Sequence, residues 1–271
     1  MTADPFKAVV FDWAGTVVDF GSLAPMDAFV KLFQRYDVAL TVAEARLPMG
    51  LPKWDHIRAL GALPSIAAQW LQLYGHGFGD ADADELYEAF TPMNAASVRW
   101  HAELIPGVLQ TVAVLRARGL KIGSTTGYNR PIMEVLAPLA EAQGYVPDNL
   151  VCAGDLPAGR PSPLMMYRSF ADLGVWPPES VVKVDDTAPG IAEALAAGSW
   201  AVGVAVSGNA VGMSLDEWQA LAGAEQAALR ERAGTELRAA GAHEVVDTVA
   251  ELLPALERLY QRAVGGERPG R

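Results

Sequence analysis

The sequence predicts an α/β fold, a doubly wound parallel sheet of the Rossmann-like kind with an α-helical cap inserted into it. Three observations lead there. Short apolar runs rich in β-branched residues recur along the 271 residues. Segments with helical periodicity alternate with them, as right-handed crossovers between parallel strands require. The connection after the first run is far too long for one helix.

The first strand is read at 7–13, KAVVFDW, and the later ones at 120–126 (LKIGSTT), 149–154 (NLVCAG), 181–186 (VVKVDD) and 200–206 (WAVGVAV). Helices are predicted over 108–118, 131–143, 163–173 and 189–197, several opened by Pro, which suits a first helical turn. Between the first two strands, apolar spacing in 26–36, 65–75 and 84–100 gives further helices, the expected cap. The predicted division is 1–20 with 100–265 as the core, 21–99 as the cap, and 266–271 as a flexible tail. Beyond Val206 the chain reads as mostly helical.

Composition narrows the function. A 51% hydrophobic chain of this length can bury a proper core. No apolar run reaches the roughly 18 residues that cross a bilayer, and the first residues lack the pattern of a signal peptide, so a cytoplasmic location and no membrane partner are expected. Acidic residues outnumber basic ones 32 to 21, and the net charge of −11 disfavours nucleic acid. Cys152, the single cysteine, forms no internal disulfide and reads as a small buried hydrophobe. His76, His101 and His243 lack metal-ligand spacing.

In a doubly wound sheet, ligands bind beyond the carboxyl ends of the strands. Asp12 ends the first strand beside Gly15, where a carboxylate can be a nucleophile or simply cap a turn. The second strand closes on Thr125, Thr126 and Gly127, hydroxyls and backbone suited to phosphate oxygens. The fourth closes on Asp185 and Asp186. Adjacent buried acids repel each other and call for a cation, although a helix N-cap with a solvated neighbour is the simpler alternative. Mg²⁺ asks for about six oxygens, and Asp12, Asp186 and the Ala14 carbonyl are candidates. Arg160, on the loop after the third strand, can draw a phosphoryl group toward Asp12 or pair with Asp155.

These four ordered motifs resemble the haloacid dehalogenase superfamily. The resemblance implies a phospho-aspartate on Asp12, phosphoryl oxygens held by Thr126 and Arg160, and Mg²⁺ held in part by Asp186. One departure stands out: where phosphatases of the superfamily carry a second Asp that protonates the leaving alkoxide, this chain has Ala14. General acid catalysis is worth about 100-fold to 10,000-fold, so the leaving group should be something other than an alkoxide.

Lys53 supplies another route. Its segment, PMGLPKWDHIRAL at 48–60, places it at a helix start among Met49, Leu51 and Trp54, where the helix dipole and poor hydration both favour the free amine. Such an amine forms an imine with an aldehyde, and an imine accepts the electron pair left when an adjacent bond breaks. His56 follows at i+3 as a possible proton carrier; for either residue an exposed surface side chain is the plainer alternative. Lys183 is a rival amine with a simple ion pair to Asp185 as its other reading.

The runs FDWAGT at 11–16, MGLPKWDHIRAL at 49–60, STTGY at 124–128 and AGRPSP at 158–163 resemble the phosphonoacetaldehyde hydrolases nearly end to end. That resemblance implies a Schiff base between Lys53 and phosphonoacetaldehyde, transfer of the phosphoryl group to Asp12, and P–C cleavage to acetaldehyde and phosphate. It places Met49, His56, Gly127 and Tyr128 near the substrate. It also implies a homodimer formed through the cap, with Phe29, Leu32 and Phe33 as a candidate apolar face; packing inside the cap suits those three equally well. Two other readings stay open: a phosphate monoesterase of the same fold, and a non-catalytic relative that binds a partner through its cap.

Overall fold

The computed structural model describes residues 5–270. In chain order the elements are β1 Ala8–Phe11, α1 Ala24–Arg35, α2 Val42–Arg46, α3 Lys53–Gly61, α4 Pro64–Tyr74, α5 Asp80–Ser97, α6 Val108–Ala117, β2 Lys121–Asn129 and α7 Arg130–Glu141. They continue with β3 Val151–Ala153, α8 Leu164–Leu173, β4 Val181–Asp185, α9 Ala188–Ala196, β5 Trp200–Val204, α10 Leu215–Ala220, α11 Gly223–Ala239, β6 Glu244–Val246 and α12 Leu252–Val264. Every strand pairs parallel to its neighbours, in the order β3-β2-β1-β4-β5-β6. This is the predicted doubly wound sheet, with α1 to α5 as the inserted helical cap.

The register explains where the chemistry collects. Val10 stands opposite both Gly123 and Lys183, and Phe11 opposite Ser124 and Val184. One residue further along the three central strands lie Asp12, Thr125 and Asp185, at one level of the carboxyl edge. The β2–β3 register then slips between Thr126 and Asn129, an irregularity that re-aims Gly127 and Tyr128. β1 and β4 are buried along their whole length, as parallel strands covered on both faces should be.

The cap is built on its own apolar face. Met26, Phe29, Leu32 and Phe33 of α1 recur at helical spacing and are buried, with Phe29 stacked on Phe90 of α5 at 4.4 Å. Each such side chain contributes about 1.5–3 kcal/mol by leaving water. Phe29, Leu32 and Phe33 therefore belong to the interior of the cap and offer no dimer surface. Asp19 fixes the entry to α1 by accepting from the backbone N–H of Leu23 and of Ala24, both at 2.9 Å.

The structure adds two elements that the sequence pattern did not reveal, the short helix α2 and the edge strand β6. β6 has three residues, of which only Val246 is buried, too little for a periodic signal. The segment expected as a loose tail is tied at Glu267, which pairs with Arg262 at 2.6 Å, and at Pro269, which is buried. Residues 1–4 of the expected core and Arg271 of the tail lie outside the described residues. Among the described residues, no helix is long and apolar enough to cross a membrane.

Candidate active site

Asp12 follows β1 directly and is held in place by donating its backbone N–H to the Val184 carbonyl at 3.0 Å. Gly15, in the turn beyond it, has φ +78° and lies so close to Asp186 that a Cβ would fall 2.3 Å from Oδ2. A glycine is required there on both counts. Arg160 reaches back from the loop after β3 and donates to Asp12 Oδ1 at 2.8 Å. Its guanidinium also pairs with Asp185 at 3.2 Å and, through Nε, with Glu193 at 3.2 Å. The alternative partner Asp155 is taken by Arg130.

Lys183 lies in the same buried cluster, 3.2 Å from Asp185 and 3.6 Å from Glu193. It also donates to the Thr125 hydroxyl at 2.7 Å, and that hydroxyl donates onward to Glu193 at 2.9 Å. Lys183 is thereby a structural cation, and the Thr125 hydroxyl is spent inside the network. Thr126 instead faces the cavity at the strand ends. Glu193 escaped the sequence reading: it sits on α9 in an Ala-rich stretch, seven residues past Asp186, with no local cue to its burial.

The carboxylates differ sharply in their surroundings. Burial pushes Asp185 up, but Arg160 and Lys183 outweigh it and hold the group below the ordinary carboxylate range. Its Oδ1 also accepts from the Thr187 N–H at 3.0 Å and hydroxyl at 2.7 Å, which makes Asp185 a support for the start of α9. Asp186 lacks such cations. Burial, then the charges of Asp12 and Asp185, drive it well above the ordinary range. Burial and Asp185 likewise raise Asp12 to about 6, against the pull of Arg160.

Asp12, Asp185 and Asp186 each offer an oxygen, all within 4.8 Å of one another. Asp186 Oδ2 accepts from the Asn209 N–H at 2.7 Å, while its buried Oδ1 has no hydrogen-bond partner. In this cluster the carboxylates Asp185 and Glu193 are paired with the cations Arg160 and Lys183, while Asp12 and Asp186 turn oxygens toward the cavity. An all-oxygen donor set with an unpartnered carboxylate oxygen fits a divalent hard cation such as Mg²⁺. Asp12 and Asp186 are the residues that would hold it, with Ala14 lining the same cavity.

Lys53 opens α3 directly after Pro52 and is 5% exposed. Its Nζ lies 5.1 Å from the Tyr128 ring centroid, 5.6 Å from that of Phe29 and 3.9 Å from Met49 Sδ. Burial among these groups lowers its pKa to about 8, although Asp12 pulls the other way. Asp12, Lys53, Met49, Thr126, Gly127, Tyr128, Arg160 and Asp186 all line one cavity, so the cap's amine and the core's carboxylates meet there. Tyr128 lines the cavity, and its hydroxyl is buried without a hydrogen-bond partner; burial raises its pKa well above the ordinary value and keeps it a neutral donor.

His56 does not line the cavity. Its ring stacks on Phe29 at 4.0 Å, and Nε2 lies 2.8 Å from the Ala45 carbonyl. A carbonyl only accepts, so Nε2 carries the proton and Nδ1 is bare, with no hydrogen-bond partner. Burial and the Lys53 charge hold its pKa well below 6.5, so the ring is neutral.

A parallel sheet with an inserted helical cap, and a carboxylate, hydroxyl, cation and acid pair beyond successive strands, defines a haloacid dehalogenase-like hydrolase; the model of that family matches residues 6–198. The chain is 52% identical to the phosphonoacetaldehyde hydrolase of Paraburkholderia phytofirmans, over 97% of this chain and 98% of that one. It is 51% identical to the enzyme of that name from Klebsiella pneumoniae, with the same coverage. A phosphonoacetaldehyde hydrolase-like protein from Oleispira antarctica superposes with a TM-score of 0.97 at 42% identity, over 98% of this chain and 97% of that one. The chain thus belongs to the haloacid dehalogenase-like hydrolases and, within them, to the phosphonoacetaldehyde hydrolase family. It is a hydrolase.

Proposed function

We propose that the chain cleaves the P–C bond of phosphonoacetaldehyde through an imine on Lys53 and a phosphoryl-enzyme on Asp12. The observation that carries this reading is the buried Lys53 amine, lowered to about 8, in the same cavity as Asp12. Ala14 supports it, because no acid stands there to protonate an alkoxide.

The Lys53 lone pair adds to the aldehyde carbon, and loss of water leaves a protonated imine. An Asp12 oxygen then attacks phosphorus as the P–C bond breaks. The bonding pair moves to carbon and forms C=C, while the C=N pair moves onto nitrogen and gives an enamine. Protonation at carbon and hydrolysis release acetaldehyde and restore the amine. Water attacks the acyl phosphate, releases phosphate and frees Asp12. Arg160 and Thr126 hold phosphoryl oxygens, and Gly127, whose Cβ would lie 3.1 Å from the Leu51 carbonyl oxygen, lets the cap backbone close over them; Tyr128 donates at the cavity wall. Met49 keeps water from the amine. His56, expected as a proton carrier, lies outside the cavity lining with Nε2 donating to the Ala45 carbonyl, so it supports the turn of α3 that carries Lys53 and is not assigned a proton transfer. Asp12 and Asp186 would hold Mg²⁺, which would supply the positive charge that lets an anionic phosphoryl group approach a carboxylate.

The cap is the stretch 21–99, and family membership supports a cytoplasmic homodimer. The test is incubation with phosphonoacetaldehyde and borohydride. Activity should be lost only when the aldehyde is present, and a reduced adduct should map to Lys53. Retention of phosphonate cleavage by Lys53→Arg would end the proposal.

A further inference from the structure

Arg46 does more than end a short helix. From the last residue of α2 its guanidinium donates to the Gly21 carbonyl, the Asn209 side-chain oxygen and the Gly212 carbonyl, each at 3.0 Å. One side chain of the cap therefore ties the connection from β1 to the loop after β5. Gly212 makes room for it, since a Cβ at that residue, whose φ is +67°, would lie 2.6 Å from the Arg46 Cζ.

Both ends of this tie lead to the reacting groups. On the cap side, Ala45, the preceding residue, accepts from His56 on α3, one turn after Lys53. On the core side, the Asn209 backbone N–H holds Asp186 Oδ2 at 2.7 Å. Lys53 and Asp12 reside on separate parts of the chain, joined covalently only through flanking connections. Their relative placement must be fixed by contacts across the cleft, and a planar fork with several donors suits three fixed acceptors as an ammonium does not.

We propose that Arg46 is a positioning residue, locking the cap's Lys53 in register with the core's Asp12–Asp186 pair, with Asn209 as the core half of the lock. This rests on the assignment of Lys53 and Asp12 above. The lock bears less on imine formation, because Phe29 and Met49 move with the cap and keep the amine buried, and only Tyr128 of its surroundings belongs to the core. It governs the step that needs both halves, attack of Asp12 on phosphorus.

The experiment uses the full chain with Mg²⁺, in wild type, Arg46→Met, Asn209→Ala and the double variant. Steady-state phosphate release, borohydride-trapped adduct at Lys53, Mg²⁺ binding by calorimetry and thermal melting are measured on each. A misplacement of about 1 Å costs on the order of 100-fold, so kcat should fall by about that factor in Arg46→Met, with the adduct yield unchanged. Asn209→Ala keeps the backbone N–H to Asp186, so it should lower kcat and leave Mg²⁺ binding in place. The double variant should be no worse than Arg46→Met, the non-additivity expected of two halves of one contact. A kcat within about twofold of wild type, independent multiplying effects, or adduct and kcat lost together would each overturn the lock. If Arg46→Met fails to fold, Asn209→Ala decides by the same criteria. Wild-type enzyme that shows no adduct at Lys53 would instead count against the parent mechanism, a result separate from all of these.

Discussion

The lowered pKa of Lys53 gives the sharpest prediction. Its drop from 10.5 to about 8 corresponds to about 3.4 kcal/mol favouring the free amine. At pH 7 about a tenth of the side chain is then neutral, against about 0.03% for an ordinary lysine. Because kcat/KM reports the free enzyme, its acid limb should have a midpoint near pH 8. Met49→Glu tests the cause. It places a carboxylate where Sδ now lies 3.9 Å from Nζ, and two charges about 4 Å apart interact by about 4 kcal/mol at an effective dielectric of 20. Desolvating the new carboxylate offsets part of that, and a net gain of about 2.7 kcal/mol would move the limb up by about two pH units. Free amine at pH 7 would fall about 100-fold. Met49→Leu keeps the site apolar and should leave the limb where it is. The assay is phosphate release from phosphonoacetaldehyde between pH 6 and 10, with the rate of borohydride inactivation as a second readout. A limb that stays near pH 8 in Met49→Glu would refute the account of the amine as one held neutral by burial.

The same shift bears on stability. Between about pH 8 and 10.5 the unfolded chain binds more protons at Lys53 than the folded one, so this group adds stability as pH rises through that window and opposes folding fully below it. Asp186→Asn removes the carboxylate whose repulsion is least compensated, so the metal-free protein should melt higher than wild type. Mg²⁺ at 100 times its Kd should stabilise wild type by about 2.7 kcal/mol and the variant by much less; an equal response in calorimetry would remove Asp186 from the metal site. Glu193→Leu leaves Arg160 and Lys183 with one carboxylate fewer in a buried cluster, which should destabilise the fold by about 3–5 kcal/mol in urea melts. A variant within 1 kcal/mol of wild type would show that Asp185 and Asp12 suffice to hold both cations.

Much of this site was legible because strand ends announce themselves. An apolar run that stops abruptly at Asp12 or Asp186 marks both the end of a strand and the edge where ligands bind, whereas β2 runs on past Thr126 to Asn129 and the expected close at Thr125–Gly127 falls inside it. Lys53 was legible for a related reason: Pro52 fixes the helix start, and apolar neighbours on both sides foretell burial. What the sequence hid depends on contacts distant in the chain. Nothing near Glu193 says that it turns under β2 to receive Thr125 and Arg160, and nothing near Arg46 points to Gly212. His56 shows the limit from the other side. Its spacing from Lys53 was readable, but the Ala45 carbonyl that turns its ring away from the cavity belongs to α2, a five-residue helix too short to betray itself.

The two threonines of β2 show why residue type alone could not assign the roles. Thr125 and Thr126 are chemically identical and adjacent, so strand alternation sends them to opposite faces. One face meets Lys183 and Glu193, and there the hydroxyl is consumed as a link between buried charges. The other opens on the cavity, where a hydroxyl and backbone are still available. The acid pair closing β4 divides by the same rule: Asp185 is neutralised beneath the site by Arg160 and Lys183, and Asp186 faces the cavity with an unpartnered oxygen. A single alternation thus separates Thr125 and Asp185, which keep Arg160 rigid and charged, from Thr126 and Asp186, which face the cavity and offer an unpartnered oxygen suited to a divalent cation. Asp186 cannot be relieved by moving a cation up from below, because Arg160 and Lys183 are each already bound to two carboxylates or more.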